Sequence, residues 1–179
     1  LGDAIRIDPY PGVGNTDVQI RNNILAVGTD NALNVNLSSQ PAVSSDYNDF
    51  YLFNSGKVGI WSGASRDTLQ AWRGASGKDT NRLSLTPLFV DLAGADNFLG
   101  CQSAASDGRD DDFHLQSTAG SFHAGALAPV LDAASGLPVT QSGTFVADGA
   151  TSPLIDRGDP SSAFSLEPSP NGAFINLGA

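Results

Sequence analysis

The feature that most limits the fold is the shortness of the apolar alternations. Ala4-Ile5-Arg6-Ile7-Asp8, Val18-Gln19-Ile20-Arg21 and Leu33-Asn34-Val35-Asn36-Leu37 each alternate apolar and polar residues, the period of a half-buried strand. Turn formers cut every one of them off: Pro9, Pro11, Gly12 and Gly14 follow the first. Tyr51-Leu52-Phe53 and Lys57-Val58-Gly59-Ile60-Trp61 continue the series. The gaps lack the helical patterns of an α/β chain, so the expected class is all-β, as a sandwich or a β-solenoid.

Composition agrees. Of the 19 acidic residues all but Glu167 are Asp, and there are 20 Gly and 10 Pro. Asp favours turns and caps where Glu favours helix interiors. With 179 residues, 40% of them hydrophobic, the chain can form a core without disulfides or metal. Nine basic residues against 19 acidic ones give a net charge of −10. Such a balance argues against nucleic acid, which calls for a basic footprint, and against anionic lipid. No apolar run reaches the length of a membrane helix, so no membrane insertion is expected, and no signal peptide is visible. The chain opens at Leu1 and is expected to be an excised piece of a longer protein. Cys101 is the single cysteine, which excludes an internal disulfide and a cysteine zinc site; a small buried apolar role is expected for it.

Two features favour the solenoid over the sandwich. Asn22, Asn23, Asn34, Asn36, Asn48 and Asn54 fall at strand ends, where stacked coils align amides with the backbone of the next coil. Two-residue hairpin turns of the Asn-Gly type are also missing from this region. Ordinary turn formation is the plainer reading of the same asparagines. One short helix is expected near 66–74, capped by Ser65 or Asp67, facing the β body with Leu69 and Trp72, and stopped by Gly74 or Gly77. Residues 93–179 read as looser, Ala-, Gly- and Pro-rich covering, with a short strand at Phe113-His114-Leu115.

In order along the chain, Ile20-Arg21-Asn22-Asn23-Ile24-Leu25, Pro87-Leu88-Phe89-Val90-Asp91, Asp112-Phe113-His114-Leu115-Gln116-Ser117, Ser152-Pro153-Leu154-Ile155-Asp156-Arg157-Gly158-Asp159-Pro160 and Ile175-Asn176-Leu177-Gly178-Ala179 resemble right-handed parallel β-helix repeat proteins of the pectate-lyase-like superfamily. The resemblance implies the terminal rungs of a solenoid over 1–92, with the helix inserted, and an irregular C-terminal cap over 93–179. It further implies a noncatalytic structural or binding module of a large secreted or cell-surface bacterial protein, placed outside the cell or on its surface. The alternative it leaves open is the tail of a polysaccharide-active lyase or epimerase whose catalytic rungs lie upstream. Fold does not fix activity, and no catalytic or calcium-binding residue of such an enzyme carries over. The expected partners are the rest of a parent chain or neighbouring copies, joined through the exposed first rung near Ile5, Ile7, Val18 and Ile20, and polysaccharide.

The residues offer few constellations of their own. Asp107, Asp110, Asp111 and Asp112 crowd one turn with Gly108. A solvated acidic turn is the ordinary reading; structural calcium, which takes 6–8 oxygens, is the sharper one, and the spacing is not that of an EF-hand. His114 beside Asp112 is a structural or exposed residue first and a general base second. Arg66, Arg73 and Arg82 either pair with acidic sugar groups or serve local Asp residues. Trp61, Trp72, Tyr47 and Tyr51 are the aromatics for core or sugar stacking, and alternation puts the two tyrosines on one face.

Overall fold

The computed structural model of the chain describes residues 2–9, 14–101, 103, 108, 110–123, 131–137, 139, 144–165, 167 and 172–178. It is mainly β. The chain divides into two compact units, Leu1–Pro87 with Pro153–Ala179, and Leu88–Ser152.

In the first unit the short alternations become β1 (Ile5–Ile7), β2 (Val18–Arg21), β3 (Ile24–Val27), β4 (Asn31–Val35), β5 (Val43–Asp46), β6 (Asp49–Leu52) and β7 (Lys57–Trp61). Each later strand lies parallel to the strand three before it. Ile5 is opposite Leu33, Ile20 opposite Ser45, Leu25 opposite Phe50, and Leu33 opposite Gly59. Asp49 also bridges Leu83 in parallel. Alternation turns one face of each strand inward, so Leu25, Val27, Leu33, Val35, Phe50, Val58 and Trp61 share one buried cluster. Gly59 lets β7 approach β4: a Cβ there would stand 2.3 Å from the Leu33 carbonyl oxygen and 2.8 Å from Trp72 Cζ3.

The asparagines at strand ends meet. Asn22 and Tyr47 hold positive φ (60° and 54°) at equivalent bends, a conformation Asn tolerates and a bulky residue rarely adopts. Asn48, fully buried, donates from Nδ2 to the Ile20 carbonyl at 3.0 Å and accepts at Oδ1 from the Asn23 N–H at 3.0 Å. Residues 153–178 belong to this unit and fasten onto the β2–β3 bend. Arg21 Nη1 lies 2.6 Å from Asp159 Oδ2, Asn22 Nδ2 donates to Ser162 Oγ, and the Gly178 N–H donates to the Asn22 carbonyl.

β8 (Ala64–Arg66) runs antiparallel to β7. Ser62 and Gly63 join them, both at positive φ (55° and 71°), the two-residue type I′ pattern with Ser where Asn is usual. The helix α1 spans Leu69–Ser76, slightly later than 66–74, because β8 takes the earlier residues and Thr68, not Ser65 or Asp67, caps it. Thr68 Oγ1 accepts from the Ala71 N–H at 3.2 Å, and Gly77 closes it at φ 66°.

The second unit holds β9 (Phe89–Asp91) antiparallel to β10 (Asp112–Leu115), and β11 (Ser121–His123) antiparallel to β12 (Thr144–Val146). Asp148 ties its chain together: it accepts from the Ser117 N–H at 2.7 Å and from Ser121 Oγ at 2.6 Å, and lies 2.9 Å from His123 Nε2. These donors, Ser121 foremost, hold its carboxyl below the usual range.

The expected right-handed parallel β-helix end segment is not what these strands make. They fall into five small sheets of two to four strands. Three antiparallel pairs are mixed with the parallel ones, and among the described residues no continuous stack of parallel rungs is shown. Cys101 also departs from expectation, since its side chain is exposed.

Candidate functional site

The helix α1 has two faces. Leu69 and Trp72 turn inward; Trp72 is fully buried and meets Trp61 edge to face at 5.4 Å. Gln70, Arg73, Gly74 and Gly77 follow the i, i+3, i+4, i+7 spacing of the opposite face. Together with Thr80 and Arg82 they line an open groove of about 650 Å³.

Both walls are anchored to β5. On the helix side Trp72 Nε1 donates to Asp79 Oδ2 at 2.8 Å. Asp79 Oδ1 accepts from Ser45 Oγ at 2.8 Å and from Asn48 Nδ2 at 3.0 Å, and the Asp79 N–H donates to the Ser45 carbonyl. On the other side Asp46 accepts from the Asn81 N–H at 2.6 Å and from Asn81 Nδ2 at 2.9 Å. Burial pushes the Asp79 carboxyl up, and its three side-chain donors oppose the shift. A buried carboxylate is tolerated when donors meet its lone pairs, so Asp79 fixes the helix to the strands.

The groove lining carries two cations, Arg73 and Arg82, and the acids Asp46 and Asp79 stand behind its walls. Residues 68–90 contain Arg73, Lys78 and Arg82 and a single acid, Asp79, which is buried. Among the described residues neither Arg73 nor Arg82 has an acidic partner. Arg82 Nη1 donates to the Thr80 carbonyl at 3.3 Å. A Cβ on Gly74 or Gly77 would meet nothing within 4 Å, so the helix wall is low and open.

The other candidate residues are not among those lining the groove. Arg66 belongs to β8 and donates to the Trp61 carbonyl. Trp61 and Trp72 are in the core. Tyr47 sits in the bend between β5 and β6 and does not alternate with Tyr51, which packs on Phe53 at 5.5 Å. Asp107 lies outside the described residues. Asp110 accepts from the Asp96 N–H, Asp111 from the Gly100 N–H, and Asp112 from the His114 N–H. Among the described residues no three His, Cys, Asp or Glu side chains are grouped to hold a metal ion. His114, half exposed, places Nδ1 2.6 Å from Asp112 Oδ1 and its ring against Phe122.

Among the described residues the carboxyl with the largest shift is that of Asp49, which the sequence did not single out. It is fully buried in β6. One oxygen accepts from the Leu85 N–H at 2.9 Å, and the other has no partner. Burial raises its pKa to about 6.

No protein-family model matches the chain, and neither the curated proteins nor the solved structures contain a significant match to it. The resemblance to the pectate-lyase-like superfamily is not upheld by the fold, whose described strands form small sheets that mix parallel and antiparallel pairs.

Proposed function

We propose that the chain is a noncatalytic module, structural or ligand-binding, of a larger secreted or cell-surface protein. The observation that carries this reading is the anchored groove on α1. Its walls are tied to β5 through Asp46 and Asp79, and its lining offers guanidinium, amide and hydroxyl groups, the chemistry of recognition. Binding sites are usually pre-formed, with a few convergent polar groups, and a helix wall fixed by the buried hydrogen bonds of Asp79 meets that need. Among the described residues no helix is long and apolar enough to cross a membrane. β1 is the outer strand of its sheet, and unpaired strand edges recruit further strands. In this reading that edge joins the rest of a parent protein or a second copy.

The test is prolonged incubation with alginate, pectate and chondroitin, following unsaturated-uronate absorbance and reducing ends. The proposal expects neither signal to rise above that of a heat-denatured sample. Turnover by the purified chain would overturn it.

A further inference from the structure

The free edge of β1 has a sequence that matches its own reverse. We infer that β1 pairs antiparallel with β1 of a second copy of this chain, about a twofold axis through Ile7, so that Arg6 of each copy lies opposite Asp8 of the other. The inference rests on the reading of the chain as a module joined through this edge, and it commits the edge to one occupant and one register.

Three observations carry it. First, β1 is the outer strand of the sheet β1-β4-β7-β8, and no described strand lies beyond it. The edges that a second copy could offer head to tail are already taken. β8 pairs with β7, the Asp79 N–H bonds to the Ser45 carbonyl of β5, and the Phe50 N–H of β6 bonds to the Leu83 carbonyl. Gly178 and Asp159 hold the bend between β2 and β3. Two copies therefore meet through the same edge on each, the isologous contact that closes at a dimer. Second, the hydrogen-bond phase fits. The Ile7 carbonyl accepts from the Asn36 N–H, so Ile7 faces β4, and alternation turns the main chain of Arg6 and Asp8 outward. The Ala4 N–H also bonds toward β4, at the Asn31 carbonyl, but it precedes the strand, which begins at Ile5. About Ile7, the Arg6 N–H meets the Asp8 carbonyl of the second copy, and the Asp8 N–H meets its Arg6 carbonyl. Pro9, with no N–H to give, falls opposite Ile5 in a pair that exchanges no bond. The Asp8 carbonyl accepts from Asn15 Nδ2 at 3.2 Å and keeps its second lone pair. Third, Ile5-Arg6-Ile7-Asp8-Pro9 reads apolar, cation, apolar, anion, apolar. The Arg6 and Asp8 side chains are 63% and 52% exposed and pair with each other at 2.7 Å. Opposite charges facing across an antiparallel pair stabilise it, and like charges destabilise it. An axis through Arg6 or Asp8 sets like charges face to face, and one through Ile5 leaves both unmatched. The axis through Ile7 matches both and sets Ile7 against Ile7 on the core side. The net charge of −10 on each copy opposes the encounter at long range, and physiological salt screens that repulsion over about 8 Å.

The experiment follows the mass of the intact chain by sedimentation and light scattering from about 1 μM to about 1 mM, with amide exchange measured across the same range. The expected result is a monomer–dimer equilibrium. Exchange at the Arg6 and Asp8 amides should slow as concentration rises, while that at Phe145 stays unchanged. Arg6→Asp and Asp8→Arg each place like charges opposite one another, and each should weaken the dimer on the order of tenfold. The double variant Arg6→Asp with Asp8→Arg restores opposite charges and should recover the parent affinity. Unchanged melting curves establish that the variants fold. Should either single variant unfold, Arg6→Gln and Asp8→Asn supply the comparison without repulsion. A monomer at every concentration, a charge-swapped double variant no tighter than the single ones, or protection at Arg6 and Asp8 that does not depend on concentration would overturn the inference. Those outcomes leave the module reading standing, since that reading falls on turnover of a uronate polymer and not on the state of assembly.

Discussion

The unit of Leu1–Pro87 with Pro153–Ala179 closes its strands over Leu33, Phe50, Val58 and Trp72, all fully shielded from solvent. The unit Leu88–Ser152 shows no buried large apolar side chain among its described residues, while Phe113 and Phe145 are each 54% exposed. Its chain is held instead by carboxylates: Asp148 on Ser117, Ser121 and His123, and Asp112 on His114. Both units use short strands of similar composition. The difference is register: parallel pairing repeats the same alternation pass after pass, so apolar residues fall on one another and build a core. Antiparallel pairs of three or four residues have no such repetition, and two-stranded pieces gain little stability by themselves. The groove is attached to the unit with the core.

The largest expected effect is in that core. Trp72→Ala removes the aromatic packed on Trp61 and Gly59 and leaves the Asp79 carboxylate without its indole donor. It should cost about 3–5 kcal/mol, read from denaturant midpoints. A loss below about 1 kcal/mol would mean that the helix is not a structural part of the unit.

Asp49 supplies the next largest effect, with a defined pH window. Its folded pKa, about 6, lies above the ordinary carboxyl value near 4. The folded state therefore binds the proton more tightly, and the contribution of this group is favourable below about pH 4 and lost as pH rises through 6. Asp49→Asn, which keeps an acceptor for the Leu85 N–H, should stabilise the chain by about 3 kcal/mol near pH 7.5 and by almost nothing near pH 4. A difference between variant and parent that does not change with pH would show that Asp49 is not the buried charge.

Asp148→Asn acts locally. It replaces the carboxylate that the Ser117 N–H and Ser121 hydroxyl share. Amide exchange at Ser117 should quicken while that at Phe50 stays unchanged. Equal acceleration at both positions would contradict the division into separately held units. The smallest effect belongs to Phe145→Ser. With its ring half in water, the change should stay within about 0.5 kcal/mol, checked by the same denaturant midpoints.

Local periodicity made part of this molecule legible. The alternations at residues 5–7, 18–21 and 33–35 are strands, and Leu69 with Trp72 marks the buried face of the helix. The outer face was legible by the same spacing, and the run of Arg73, Lys78 and Arg82 with one intervening acid is the signal that could have located the groove. What sequence could not show depends on contacts distant along the chain. Asp79 is an anchor because Ser45 and Asn48 reach it, and nothing near residue 79 announces those partners. Tyr47 leaves its strand's alternation at a positive φ, which propensity assigns to Gly or Asn. Ser62-Gly63 makes a hairpin without the usual Asn. Nor do the adjacent Asp110, Asp111 and Asp112 announce their partners, the N–H groups of Asp96, Gly100 and His114.

A groove presented by a rigid core leaves its mark in native-state hydrogen exchange. The amides of Asp79 and Asn81 hold the groove walls through the Ser45 carbonyl and the Asp46 carboxylate. They are expected to exchange among the slowest in the chain, together with the Phe50 amide, and orders of magnitude more slowly than the amide of Phe145. Exchange of Asp79 and Asn81 at the rate of Phe145, with Phe50 still protected, would show that the groove walls open independently of the core and would contradict the account.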